Sequence, residues 1–385
     1  MSTAAPITES VLAHQSLAHG LLGIALLDVE RAHRGTGAWQ AVHGTLSETG
    51  PLFDGDDANL YLGAPAMSFV LHLASDGTNR YAGALHTLDG IVAAHTRRRL
   101  AAAHRRIDAG RRATFAEYDV FRGLTGIGAL LLRRQPQGPE LKGVLEYLVR
   151  LTEPVMGPAG LPLPGWWVGH SPAGNKAATP SGHANAGMAH GITGPLALLA
   201  LAMRAGVIVD GHEDAMRRIC RWLDQIRQSD FRGIRWPRWI SDRGPAPAMP
   251  AAPSWCYGTP GLARAQQLAA TVLGDDDRKR MAERALLHCL TDPQQLDRVT
   301  GRGLCHGFGG LLRTVQRLAS DAETPAVFTD RLDFIRSRFL TAEPPEEDGF
   351  LQGKAGAILA FQDAEASGQP GAVPQGQWDA CLLLT

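Results

Sequence analysis

The chain has 385 residues, enough for a large core, and its Lys plus Arg and its Asp plus Glu balance at 38 each, so no overall field recommends nucleic acid or an anionic membrane as a partner. No basic segment leads into an apolar core and a small-residue cleavage site, and no run is long and uncharged enough to span a bilayer, so a cytoplasmic protein without a transmembrane segment is expected. Five cysteines, Cys220, Cys256, Cys289, Cys305 and Cys381, form an odd set in a chain too long to need a disulfide scaffold, and reduced thiols are expected.

One short phrase recurs along the chain: Ala18-His19-Gly20, Tyr61-Leu62-Gly63, Phe121-Arg122-Gly123, Ala189-His190-Gly191, Cys256-Tyr257-Gly258, Cys305-His306-Gly307 and Leu351-Gln352-Gly353. Each copy precedes a small or proline-bearing turn and an Ala/Leu-rich segment such as Ile24 to Val29, Ala129 to Leu132, Pro195 to Met203 or Leu311 to Leu318. Proline is tolerated in a first helical turn and glycine permits close approach, so each phrase opens an apolar helix. The glycines lie 43 to 68 residues apart, room for a second helix per repeat. Leu85 to Ile107, Leu141 to Leu151, Glu213 to Ile226, Asp277 to Leu290 and Phe328 to Phe339 fit that role, being more charged with an apolar stripe.

The expected fold is therefore all-α: an α/α toroid of seven helical hairpins in a single domain over 1–385, with apolar helices inside and amphipathic ones outside. Closure into a ring is preferred because it alone brings equivalent positions of separate repeats together. A weak strand pattern between Val42 and Tyr61 is the only β signal. Arg97 to Arg99, Arg105-Arg106 and Arg111-Arg112 read as the wet face of a long helix, with an acidic peptide as the alternative partner. Two Pro/Gly-rich connections, 153–187 and 234–253, interrupt the helical pattern and are candidate walls of a substrate cleft.

Cys256, Cys305 and His306 stand at the same phase of neighbouring repeats. Two thiolates and an imidazole suit one tetrahedral zinc ion, and three protein ligands leave a fourth position for water or substrate. A further thiolate held there stays deprotonated at neutral pH, which points to sulfur as the nucleophile. His190 and Tyr257 lie at the same ring mouth, His190 as a general acid or base; Asp119, four residues before Gly123, is placed to orient or charge-balance a histidine. Taken singly, a carbonyl-bonded His190, a capping Tyr257 and a helix-capping Asp119 are the plainer readings. His19 shares the phase but has no neighbouring cysteine and reads as structural. Cys220 and Cys289 read as core residues, Cys381 as part of the tail, and His170 and His183 as exposed loop histidines.

Taken together, Ser254-Trp255-Cys256-Tyr257-Gly258-Thr259-Pro260-Gly261, Leu304-Cys305-His306-Gly307-Phe308-Gly309-Gly310 and Asn185-Ala186-Gly187-Met188-Ala189-His190-Gly191-Ile192-Thr193-Gly194-Pro195 resemble the lanthionine synthetase C-like family, through all seven repeats. With no added dehydratase or kinase-like region, the chain resembles the stand-alone cyclases of class I lanthipeptide biosynthesis. The resemblance implies addition of precursor-peptide cysteine thiols to dehydroalanine or dehydrobutyrine, giving thioether rings. It implies Cys256, Cys305 and His306 as zinc ligands and His190, Tyr257 and Asp119 as residues assisting proton transfer. It also implies a dehydrated precursor peptide, leader plus core, as substrate, and a dehydratase and an exporter as partners, with peripheral association to a membrane complex.

Two family features are not found. Relatives often carry an arginine just before W-C-Y-G, where this chain has Ala251-Ala252-Pro253; Arg238 and Arg243 are the substitutes in reach. A small inserted subdomain is not located. Two other functions compete. A zinc-dependent protein prenyltransferase also alkylates a peptide thiol, but uses a carboxylate ligand and an aromatic-lined pocket, against 6% aromatic residues here. A non-catalytic scaffold that binds zinc with a thiol peptide or glutathione needs neither His190, Tyr257 nor Asp119.

Overall fold

The computed structural model describes residues 9–157, 160–171, 179, 181–242, 244–245, 252–367 and 376–385. Inner and outer helices alternate: α1 (Leu21–His33), α2 (Trp39–Ser47), α3 (Ala64–Ser75), α4 (Ala82–Asp108), α5 (Leu124–Arg134), α6 (Pro139–Leu151), α7 (Thr193–Arg204), α8 (His212–Ile226), α9 (Thr259–Leu273), α10 (Asp276–Cys289), α11 (Phe308–Ser320), α12 (Thr329–Thr341) and α13 (Lys354–Ser367). Each odd-numbered helix packs on the next odd-numbered one and α13 packs on α1, so the inner ring closes. The expected toroid is the fold.

Sequence dictates which ring a helix joins. In α7 every residue from Thr193 to Ala202 is buried, as an all-round apolar helix requires. In α8, Ala215, Met216, Ile219, Cys220, Leu223 and Ile226 face inward while Glu213 and Asp214 sit in the first turn, where they complement the helix dipole. Cys220 and Cys289 are core residues as read from the sequence. No helix among the described residues is long and apolar enough to cross a membrane.

The repeat phrases are stitched into a hoop at one end of the ring. Leu17 N donates to Tyr61 O (2.9 Å), Val120 N to Ala189 O (3.1 Å), Met188 N to Cys256 O (2.9 Å), Cys256 N to Cys305 O (3.3 Å), Cys305 N to Leu351 O (3.1 Å), and Leu351 N back to Ala18 O (2.9 Å). Between the second and third repeats the Tyr61 and Phe121 rings pack with centroids 4.6 Å apart. Close backbone approach explains the glycines: a Cβ at Gly258 would overlap the Ser254 amide, and one at Gly261 the Trp255 carbonyl.

Several expectations are corrected. Six hairpins are complete among the described residues; the outer partner expected for α13 falls on 368–375, which lie outside them, and the 3-10 turn Trp378–Leu382 comes next. Val42 lies in α2 rather than a strand. The long connections carry short strands: β1 (Val155–Met156), β2 (Pro162–Leu163), β3 (His183–Asn185), β4 (Gln228–Asp230), β5 (Gly233–Arg235), β6 (Trp239–Ser241) and β7 (Gly244–Pro245). β3 and β6 pair antiparallel, His183 opposite Ser241 and Asn185 opposite Trp239, so the two connections form one small sheet. His183 is fully buried, not exposed. In the basic stretch Arg106 is also buried, its Nη2 2.6 Å from Glu117.

Cys381 is not in a loose tail. The final segment runs inside the ring, where polar side chains that the inner helices turn inward hold it. Arg264 Nη2 on α9 donates to Leu384 O (2.8 Å), Tyr61 Oη to Cys381 O (2.9 Å), Trp255 Nε1 to Leu382 O (2.9 Å) and Arg133 Nη2 on α5 to Thr385 O (2.7 Å). Arg313 and Arg317 on α11 reach Asp379 at 2.8 and 2.7 Å, and Trp378 Nε1 donates to Asp363 on α13 at 3.0 Å. Burial alone would raise the Asp379 pKa, but the two guanidinium groups hold it at about 2.

Candidate functional site

The hoop delivers ligand-type side chains to one place. Cys256 precedes α9 and Cys305-His306 precede α11, and the Cys256 N to Cys305 O bond fixes one turn against the other. The two sulfurs and one imidazole nitrogen all lie within 4.8 Å of one another. Cys256 is buried, Cys305 partly exposed and His306 exposed, so the cluster opens toward solvent on the histidine side.

The three groups share one negative charge. The hydrogen bond from Cys305, against the opposing effect of burial and helped by His306 and Ser254, pulls the Cys256 thiol down to about 5. The same contact, with burial, pushes the Cys305 thiol up, and contact with Cys256 raises the His306 pKa. Ser254 Oγ lies 3.6 Å from Cys256 Sγ. A pair of sulfurs and a nitrogen is the donor set a tetrahedral zinc ion takes, with one position left over.

A carboxylate–imidazole pair stands beside this cluster. His190 is in the turn before α7, whose Met188 and Ala189 amides both donate to Cys256 O, at 2.9 and 3.2 Å. Its Nδ1 is 2.6 Å from Asp119 Oδ2, and Asp119 is 1% exposed against 34% for the His190 side chain. A neutral His190 therefore donates Nδ1–H to Asp119 and leaves Nε2 unengaged by that bond. Asp119 Oδ1 also accepts from Arg122 N (2.6 Å) and Gly123 N (2.9 Å), so the capping role and the orienting role coexist in one side chain. The His190 ring stacks on Phe121 with centroids 4.9 Å apart, and Tyr257 flanks it at 6.0 Å. Burial pushes the Tyr257 hydroxyl up to about 12, against the Asn185 amide.

All six residues singled out from the sequence thus meet at one mouth. His19 stands apart from them, exposed and 2.9 Å from Glu347, and His170 is exposed while making a ring contact with Phe115 at 4.6 Å. Of the arginine substitutes, Arg238 has its guanidinium 5.5 Å from the Tyr257 ring centre; Arg243 and Ala251 lie outside the described residues. Sequence reasoning missed Phe121, Asn185 and Gln352. Gln352 Nε2 is 2.8 Å from His306 Nδ1, and its place in the seventh phrase, level with His190 and His306, was the available signal.

A family model described as lanthionine synthetase C-like protein matches residues 12–382. The chain is similar to the nisin biosynthesis protein NisC of Lactococcus lactis subsp. lactis, 24% identical over 338 residues covering 85% of this chain and 77% of that protein. Among solved structures it is similar to nisin cyclase, with a TM-score of 0.79 and 23% identity over 97% of this chain and 93% of that one. At that identity the structural likeness bears on the ring of helices.

Proposed function

The chain belongs to the lanthionine synthetase C-like family, and from that membership we propose that it is a lanthipeptide cyclase, joining cysteine thiols of a dehydrated precursor peptide to dehydroalanine or dehydrobutyrine. The observation that carries this reading is the meeting of Cys256, Cys305 and His306 with the Asp119–His190 pair at one mouth. Cys256, Cys305 and His306 would hold one zinc ion. When bound, zinc supplies a fourth position at which a thiol persists as thiolate at neutral pH.

The chain's own residues do the rest. The substrate sulfur gives its electron pair to the β-carbon of the alkene and the π pair moves onto the neighbouring carbonyl as an enolate. Nε2 of His190, with Nδ1 held by Asp119, takes up the proton that the substrate thiol gives off and delivers it to the α-carbon, so product and reactant are isomers. The Arg238 cation beside Tyr257 lies where a developing enolate gains from positive charge, and takes the role of the arginine that relatives carry before W-C-Y-G. Stacking on Phe121 and packing beside Tyr257 keep the proton donor's ring in place.

The substrate side of the reading is a leader-plus-core precursor handed on by a dehydratase and removed by an exporter, with the cyclase in the cytoplasm at the edge of their membrane complex. The test is incubation of the zinc-loaded protein with a dehydrated precursor peptide, followed by thiol alkylation and mass measurement. The expected result is one fewer alkylated thiol per ring at unchanged peptide mass. An unchanged thiol count with zinc in place overturns catalysis and leaves a thiol-peptide scaffold.

A further inference from the structure

The seventh phrase, Leu351-Gln352-Gly353, offers no ligand of the usual kind, yet its turn is tied directly to the sixth, which carries two of the proposed ligands. Leu304 N and Cys305 N both donate to Leu351 O, at 2.8 and 3.1 Å, which sets Gln352 directly against the two ligands of that turn. The Gln352 amide nitrogen lies 2.8 Å from Nδ1 and 3.2 Å from Nε2 of His306. The berth is kept open for it: a Cβ on Gly303 would overlap the Gln352 side-chain oxygen.

We propose that Gln352 is a positioning residue of the metal centre, its amide orienting the His306 ring; this rests on the zinc reading above. An imidazole that gives one nitrogen to a metal carries its proton on the other, and that N–H needs an acceptor. A primary amide meets both states. It donates to an unprotonated ring nitrogen, and after a half-turn about its last torsion it accepts from a protonated one. The centre therefore draws on three consecutive repeats, the fifth and sixth through their ligands and the seventh through Gln352.

The test compares the full-length protein with Gln352→Ala and Gln352→Met, the second keeping the volume while removing the hydrogen bond to His306. Zinc affinity is measured by chelator competition, the cobalt-substituted absorption spectrum reports ligand geometry, and circular dichroism of the metal-free proteins reports folding. Gln352 is only partly buried, so both variants are expected to fold as the parent does. Each should bind zinc about 10- to 100-fold more weakly, with the cobalt ligand-field bands changed in position and intensity as the His306 ring loses its fixed orientation. A parent that binds zinc alongside variants that match it in affinity and spectrum overturns the role of Gln352 alone, and a Met variant that matches it while Ala does not reduces the role to packing and overturns it as well. A parent that binds no zinc overturns the metal reading and this inference together.

Discussion

At the scale of single residues, Asp119 carries the most concentrated chemistry, since one oxygen caps a turn and the other holds His190. His190→Ala should lower kcat by about 10² to 10⁴-fold while leaving zinc content at one per chain by metal analysis. Cys256→Ala and His306→Ala should lose zinc and ring formation together. His183 gives a pH-dependent stability: burial pushes its pKa down to about 4 from 6.5. Its contribution is therefore complete above pH 6.5 and lost as pH falls through 4, on the order of 2 kcal/mol. Between pH 7 and 4.5 the unfolding free energy of the parent from urea denaturation should fall by about that amount relative to His183→Leu, whichever of the two is the more stable at pH 7. The ligand triad was legible because Cys and His have distinctive metal chemistry at a repeated phase. Gln352 was not, because an amide has none, and His183 was misread because a Pro/Gly-rich connection gives no sign of the β3–β6 pairing that buries it.

At the scale of elements, the recurring phrase is a device for packing backbones together. Gly261→Ala would drive a methyl group into the Trp255 carbonyl, next to Cys256. It is expected to cost at least about 2 kcal/mol in thermal or urea unfolding and to weaken zinc binding in the same protein. Helices with a clear 3.6-residue pattern, α4, α6, α8, α10 and α12, were visible in the sequence nearly to their ends. The two- and three-residue strands were not, because an alternation needs more residues than they have.

At the scale of the molecule, closure could be inferred from ligand phasing alone, but the contents of the ring could not. Arg264, Arg313 and Arg317 sit on helices that read as apolar, and their partners lie far along the chain in the last ten residues. Arg313→Met would leave Asp379 and Asp363 with one buried partner fewer. A loss of about 3–5 kcal/mol is expected from urea unfolding, with zinc affinity of the folded protein little changed. The same segment decides how a peptide can be handled. Because Trp255 and Tyr61 hold residues 376–385 inside the ring, the interior at that level is filled by the chain's own last residues. On the cyclase reading, a precursor peptide is therefore expected to enter and leave at the mouth, each new thioether loop withdrawn by the way its cysteine came before the next one enters.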